Sequence, residues 1–241
     1  MKETDLCKLD EYFAPDDLEW RIQSFRVFDG KPWARVLVYV TSRAVQNRLD
    51  SVCGKADWCN EVRQLENKAY TNRLGIFVEK VDPINGMTVQ GSGRWVFKED
   101  GAEETDIEGT KGGISGAVKR SAVPWGIGRY LYMIGESKAV FVPEERKSEA
   151  RYQYYDSKEK QTYYWNPPAL PAWALPENQK KREYRLVSQI NEYIKDNTLT
   201  GKNKVRAEEY MNGRNIDGME SVLDYCYGLK NAFDQKEQKT A

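Results

Sequence analysis

Residues 109–135 carry four cations, Lys111, Lys119, Arg120 and Arg129, and no acid. The ten residues before them, 99–108, hold six acids and no base. In a chain with 37 basic and 37 acidic side chains, charge has been sorted locally. The chemistry open to such a cluster is anion binding, and the natural partner is a polyanion. With helical spacing, Ile114, Val118, Ser121 and Trp125 share one face, flanked by Ala117 and Ala122, while Gly112, Gly116, Lys119 and Arg120 share the opposite one. Glycine inside a helix costs about 1 kcal/mol relative to alanine, so the glycines at 112, 113 and 116 need a reason. A face bared of side chains would let the backbone of a partner lie against the helix beside two cations.

Other chemistries find less support. The chain has no histidine, which excludes Ser-His-Asp and Cys-His catalysis and histidine-bound metals within it. Its four cysteines, Cys7, Cys53, Cys59 and Cys226, lack Cys-x-x-Cys spacing and read as reduced thiols of a cytoplasmic protein, not a zinc site. Gly126-Ile127-Gly128 lacks the third glycine and the Lys-Ser/Thr of a phosphate loop, so no ATP and no other cofactor is expected. The acids of 99–108 could hold magnesium for a nuclease, and that alternative stays open; a solvated loop is the plainer reading. Fifteen tyrosines and seven tryptophans interleaved with cations suit stacking on unpaired bases as well as core packing. No run of 18 apolar residues is present, and the first residues form no apolar leader, so neither membrane insertion nor secretion is expected.

The elements that must position these residues follow from periodicity. Residues 3–12 suggest a short acidic helix. Residues 19–28 and 32–40 read as strands joined by Asp29-Gly30-Lys31, the second covered on both faces because Leu37 and Tyr39 alternate with Val36, Val38 and Val40. Thr41 or Ser42 caps a helix that Gly54 ends. Strands follow near 57–65, 73–82 and 87–98, the last two joined by Asn85-Gly86. In 87–98, Met87, Val89, Trp95 and Phe97 point one way; Thr88, Gln90, Ser92, Arg94 and Lys98 point the other. The basic helix runs to about Val123, where Pro124 breaks it, and a second helical piece ends near Ile134. Residues 138–142 suggest one strand and 149–166 a hairpin around Ser157-Lys158. Four prolines between 166 and 176 mark a linker or a strapped segment. Helices are expected at 179–196, 202–212 and 217–232, the first with a stripe of Tyr184, Val187, Ile190 and Ile194, and a frayed tail from 235. Strands and helices in this order, with antiparallel hairpins, make the fold α+β.

The segment Lys111-Gly-Gly-Ile-Ser-Gly-Ala-Val-Lys-Arg, followed by Gly126-Ile-Gly-Arg-Tyr-Leu-Tyr132, resembles the signature of the Rad52 superfamily of single-strand annealing proteins, closest to its phage Sak-type and bacterial DdrA-like branches. Trp20-Arg21-Ile22-Gln23, the Tyr39 to Arg43 segment, Leu49-Asp50 and Trp58 add weaker matches, and the resemblance covers roughly residues 12 to 142. It departs at Gly116, where these relatives commonly carry Asp, and at Val123, where the eukaryotic branch has a further arginine. The resemblance implies a curved antiparallel sheet backed by a central helix, and subunits assembled into a ring or arc. It also implies ATP-independent annealing of complementary strands in recombination and repair, and a phage or prophage origin. It places Lys119 and Arg120 in a single-strand groove and turns Arg43 toward the same groove. Lys111, opposing the dipole at the helix start, suggests a nearby anion. Arg94 and Lys98 form a second DNA path or a soluble face; Arg129 is a DNA contact or a structural or intersubunit ion pair.

Two regions are therefore expected: 1–165, which binds single-stranded DNA, holds the annealed duplex intermediate and forms the homo-oligomer; and 177–241, a small helical appendage for a protein partner such as a single-strand-binding protein or an exonuclease. A plain protecting protein for single strands is the blander alternative.

Overall fold

Asp29 and Gly30 both take left-handed backbone, with φ of 47° and 72°, as a two-residue hairpin turn requires. In the computed structural model, which describes residues 3–82, 87–104 and 109–240, this turn joins β1 (Leu18–Phe28) to β2 (Lys31–Val40). A register shift between Ile22 and Ser24 breaks the ladder once. Leu18, Trp20, Val36, Val38 and Val40 face the core. Leu37 is half-buried and Tyr39 exposed, so β2 is not covered on both faces: its outer face borders a groove.

Thr41 caps α1 (Ser42–Cys53) by accepting from the Ala44 amide at 3.1 Å, a bond of the kind worth about 1 kcal/mol. The chain then builds β3 (Trp58–Gln64), β4 (Tyr70–Val81) and β5 (Thr88–Ala102) into a second antiparallel sheet in that order. The Asn85-Gly86 turn expected between β4 and β5 lies outside the described residues.

Two expectations for β5 are corrected. The strand runs on through residues 99–102, paired residue by residue with Arg73 to Tyr70 of β4, so the first acids of the acidic stretch belong to the sheet. Its faces are also reversed. Leu74, Ile76 and Val78 of β4 are buried, and their cross-strand partners are Lys98, Val96 and Arg94. Trp95 and Phe97 sit on the outer face, stacked with rings 6.1 Å apart. The apolarity of β5 misled because its inner end packs beneath α2, where a lysine's stem replaces a hydrophobe.

The helix α2 (Gly109–Ala122) lies across β4 and β5. A side chain on Gly113 would stand 2.4 Å from the Tyr70 ring, and one on Gly116 would stand 2.9 Å from Ala102 Cβ. These glycines therefore allow helix and sheet to approach; Gly113 is buried there, not bared to solvent. Asn72 of β4 fixes the register: fully buried, it donates to Ser121 Oγ at 2.6 Å and accepts from Asn60 at 3.2 Å. The helix ends in tight 3-10 turns at Val123–Trp125 and Arg129–Met133.

Residues 138–142 form two strands. β6 (Ser137–Lys138) joins the first sheet beside β2, and β7 (Val140–Val142) opens a third, ordered β7-β9-β8 with β8 (Tyr152–Asp156) and β9 (Gln161–Asn166). Trp165 and Tyr152 stack at 4.7 Å, and the Tyr152 hydroxyl accepts from the Trp20 amide, so this hairpin shares the main core. The proline-rich stretch straps onto the same core through Leu170 and Ala174. The expected acidic helix near the start is a 3-10 helix over Glu3–Asp10.

Three helices follow, α3 (Pro176–Lys195), α4 (Gly201–Asn212) and α5 (Ile216–Thr240). The last is helical through the tail that was expected to fray. They enclose their own apolar cluster around Leu186, Ile190, Met219 and Leu223. Tyr184 is excluded from it, at 79% exposure, because Leu186 and Tyr193 take the inner positions of α3. Arg214 ties this bundle to the rest, bonding Glu183 and Glu11 at 2.7 Å each. Gln179 meets the Tyr12 amide and the Asp10 carbonyl. Among the described residues no helix is long and apolar enough to cross a membrane.

Candidate nucleic-acid interface

The pairing of Glu19 with Tyr39 and of Arg21 with Leu37 puts all four on the outer face of the β1–β2 hairpin. Opposite them stands the last turn of α2. Between the two lies a groove of about 320 Å³ whose walls include Arg21, Tyr39, Lys119, Arg120 and Tyr132. Gly128, with φ of 71°, lets the following turn close against Val40: a Cβ there would stand 3.3 Å from Val40 Cγ1.

Lys119 is the most enclosed cation of the groove, its side chain 12% exposed. Its Nζ lies 2.6 Å from Glu19 Oε1 and 5.8 Å from the Tyr39 ring centre. The same Glu19 oxygen accepts from Arg21 Nη2 at 3.1 Å. Arg120 is open to solvent, and its Nε meets Asp100 Oδ1 at 3.2 Å. Helical spacing alone offers Lys119 and Arg120 no acid, yet each finds one on a strand, Glu19 of β1 and Asp100 of β5. Tyr132 is 69% exposed at the rim. Cations beside open aromatic rings are the ingredients of single-strand binding: charge for the phosphates, rings for the bases.

The other expected contacts scatter. Arg43 is exposed at the start of α1, beside Ser42, whose hydroxyl lies 3.1 Å from Ser115 in the middle of α2; it does not line the groove. Lys111 is exposed in the first turn of α2. Arg94 is exposed near the middle of β5. Lys98 leaves the surface path: its Nζ donates to the Pro124 carbonyl at 2.6 Å and lies 4.4 Å over the Trp125 ring. Burial, and then the nearby Arg129 charge, lower its pKa. Arg129 donates to the carbonyls of Val123 and Pro124 at 3.1 and 2.8 Å, closing the turn that ends α2. Asp10, although open to water on one side, sits against Gly126, and desolvation raises its carboxyl despite the opposing charge of Arg129. These groups hold the hinge between helix and turns.

Sequence reasoning missed Arg21, Tyr39 and Tyr132 as groove residues, and Glu19 and Asp100 as their counter-charges. The usable signal was the Glu19-Trp20-Arg21 alternation, which puts two charges on one strand face.

The description of the Rad52/22 family of double-strand break repair proteins matches residues 3–150. The chain belongs to this family. Every groove residue lies inside the matched span. Among characterised relatives, the single-stranded DNA-binding protein DdrA of Deinococcus deserti is 31% identical over 148 residues, covering 61% of this chain and 59% of that protein. DdrA of Deinococcus radiodurans is 30% identical over 184 residues, covering 75% of this chain and 72% of that protein. The match to the first of these thus spans less than two thirds of its length.

Proposed function

We propose that this protein binds single-stranded DNA along the groove between the β1–β2 hairpin and α2, and pairs complementary strands without nucleotide hydrolysis during repair or recombination. The observation that carries this reading is the convergence of Arg21, Lys119 and Arg120 with Tyr39 and Tyr132 on one concave surface. The names of the DdrA relatives support its single-strand-binding part. Phosphates seated on the cations leave the bases free to meet a second strand. Neutralised backbones repel less, so pairing needs alignment but no covalent step. One subunit offers few cations, and a ring or arc of subunits would join them into a continuous track. A phage origin accords with the Sak-type resemblance, and the α3–α5 bundle offers a surface for a protein partner.

The test is Lys119→Ala with Arg120→Ala, compared with wild type by fluorescence anisotropy on an oligothymidylate across a salt series. At about 0.7 per phosphate contact, losing two contacts should lower the salt slope by about 1.4 and abolish tight binding. Wild type should also anneal complementary oligonucleotides without nucleotide and leave them uncut in magnesium. A folded double variant with unchanged affinity and slope would overturn the site; magnesium-dependent cleavage would overturn the annealing function.

A further inference from the structure

Three cations line the groove, and each of them is bonded to a carboxylate. Glu19 bridges Lys119 and Arg21, and Asp100 meets Arg120. Resting on the DNA-binding reading above, we propose that Glu19 holds the place of a backbone phosphate in the DNA-free protein, acting as a built-in competitor that a single strand must displace.

The geometry gives the reason. A carboxylate and a phosphate present the same kind of anionic oxygen to an ammonium or guanidinium. Lys119 is nearly enclosed, and its ammonium meets Glu19 at 2.6 Å. A phosphate contacting Lys119 at hydrogen-bond distance must therefore take a position Glu19 now fills or crowds. Glu19 can yield: its side chain is 29% exposed and turns about three bonds. Asp100 is less free to move, because it also accepts from the Gly101 amide at 2.7 Å. With three cations against two carboxylates, the empty groove carries little net charge. An isolated phosphate would gain too little to displace Glu19, whereas consecutive phosphates of one strand act together once they are linked. Glu19 thus sets a minimum strand length and keeps the bound strand exchangeable, as pairing by trial requires.

The prediction is a gain. Glu19→Gln keeps the shape and an accepting oxygen but removes the charge, and should tighten binding of oligothymidylate about three- to tenfold at moderate salt, as expected for a partly buried charge. The gain should be larger for short strands than for long ones. The number of phosphates contacted is the same, so the salt slope should stay within about 0.3 of wild type. Two controls separate this from general charge. Glu208→Gln, on α4 and away from the groove, should leave affinity unchanged. In a Lys119→Ala background the Glu19→Gln gain should shrink at least twofold, because the two residues act as a pair. Glu19→Ala serves as a second variant and should also tighten binding. If both Glu19 variants are folded but bind no tighter than wild type, Glu19 merely positions Lys119 and the competitor role is wrong. If wild type itself does not bind the strand, the groove's DNA-binding reading fails first, and this inference with it.

Discussion

Adding one methyl group to Gly113 should destabilise the protein, whereas the same change at Gly228 should stabilise it. Both glycines lie inside helices, so replacement by alanine favours each helix by about 1 kcal/mol through propensity. Around Gly228 nothing lies within 4 Å of the added Cβ, and the full gain should appear. At Gly113 the Cβ would stand 2.4 Å from Tyr70 Cδ2 and 2.9 Å from Cε2. The ring cannot swing away easily. It is 5% exposed, its hydroxyl accepts from Gln64 at 3.0 Å, and it donates toward Thr110 at 3.3 Å. Helix and sheet must separate instead. Overpacking of this kind costs about 1–3 kcal/mol, and so close a contact belongs at the upper end. The net expectation is a loss of about 2 kcal/mol for Gly113→Ala against a gain of up to about 1 kcal/mol for Gly228→Ala. Urea unfolding followed by circular dichroism measures both, provided the slopes agree. If Gly113→Ala proved as stable as wild type, α2 would not be held on its sheet by this contact.

Other expectations concern acidity and the limits of the DNA-binding unit. Burial pushes the Cys53 thiol from an ordinary 9.0 up to about 11, so the folded state holds this proton more tightly than the unfolded chain. The stability it contributes is complete below about pH 9 and is lost as pH rises through 11. The stability difference between wild type and Cys53→Ala should therefore shrink over that window, and a constant difference would count against it. A chain ending at Leu175 keeps the groove and the main core, and loses polar ties that include those from Gln179, Arg182 and Arg214 to the N-terminal segment. It should still anneal DNA and show the same oligomeric state as the full chain by light scattering; a soluble, folded truncation unable to anneal would assign α3–α5 to the DNA machinery.

Periodicity and turn chemistry were enough for most of the elements. The Asp29-Gly30 turn, the Thr41 cap, the break at Pro124 and the three C-terminal helices are local events, decided by φ preference, capping oxygens and a missing amide hydrogen. The Lys119-Arg120 pair was legible for the same reason, since clustered like charge shows in one dimension. What could not be read was which surface each residue would meet. Whether Trp95 or Lys98 faced inward depended on the burial of Leu74 and Ile76 across the ladder. The spacing of glycines could not distinguish a face bared for DNA from a face pressed on Tyr70; only the position of that ring did. Glu19 lies 100 residues from Lys119 in sequence, so the bond that neutralises the groove arises only when hairpin and helix are packed together. Local conformation is set by neighbours along the chain, whereas the charge balance of a site is set by neighbours across it.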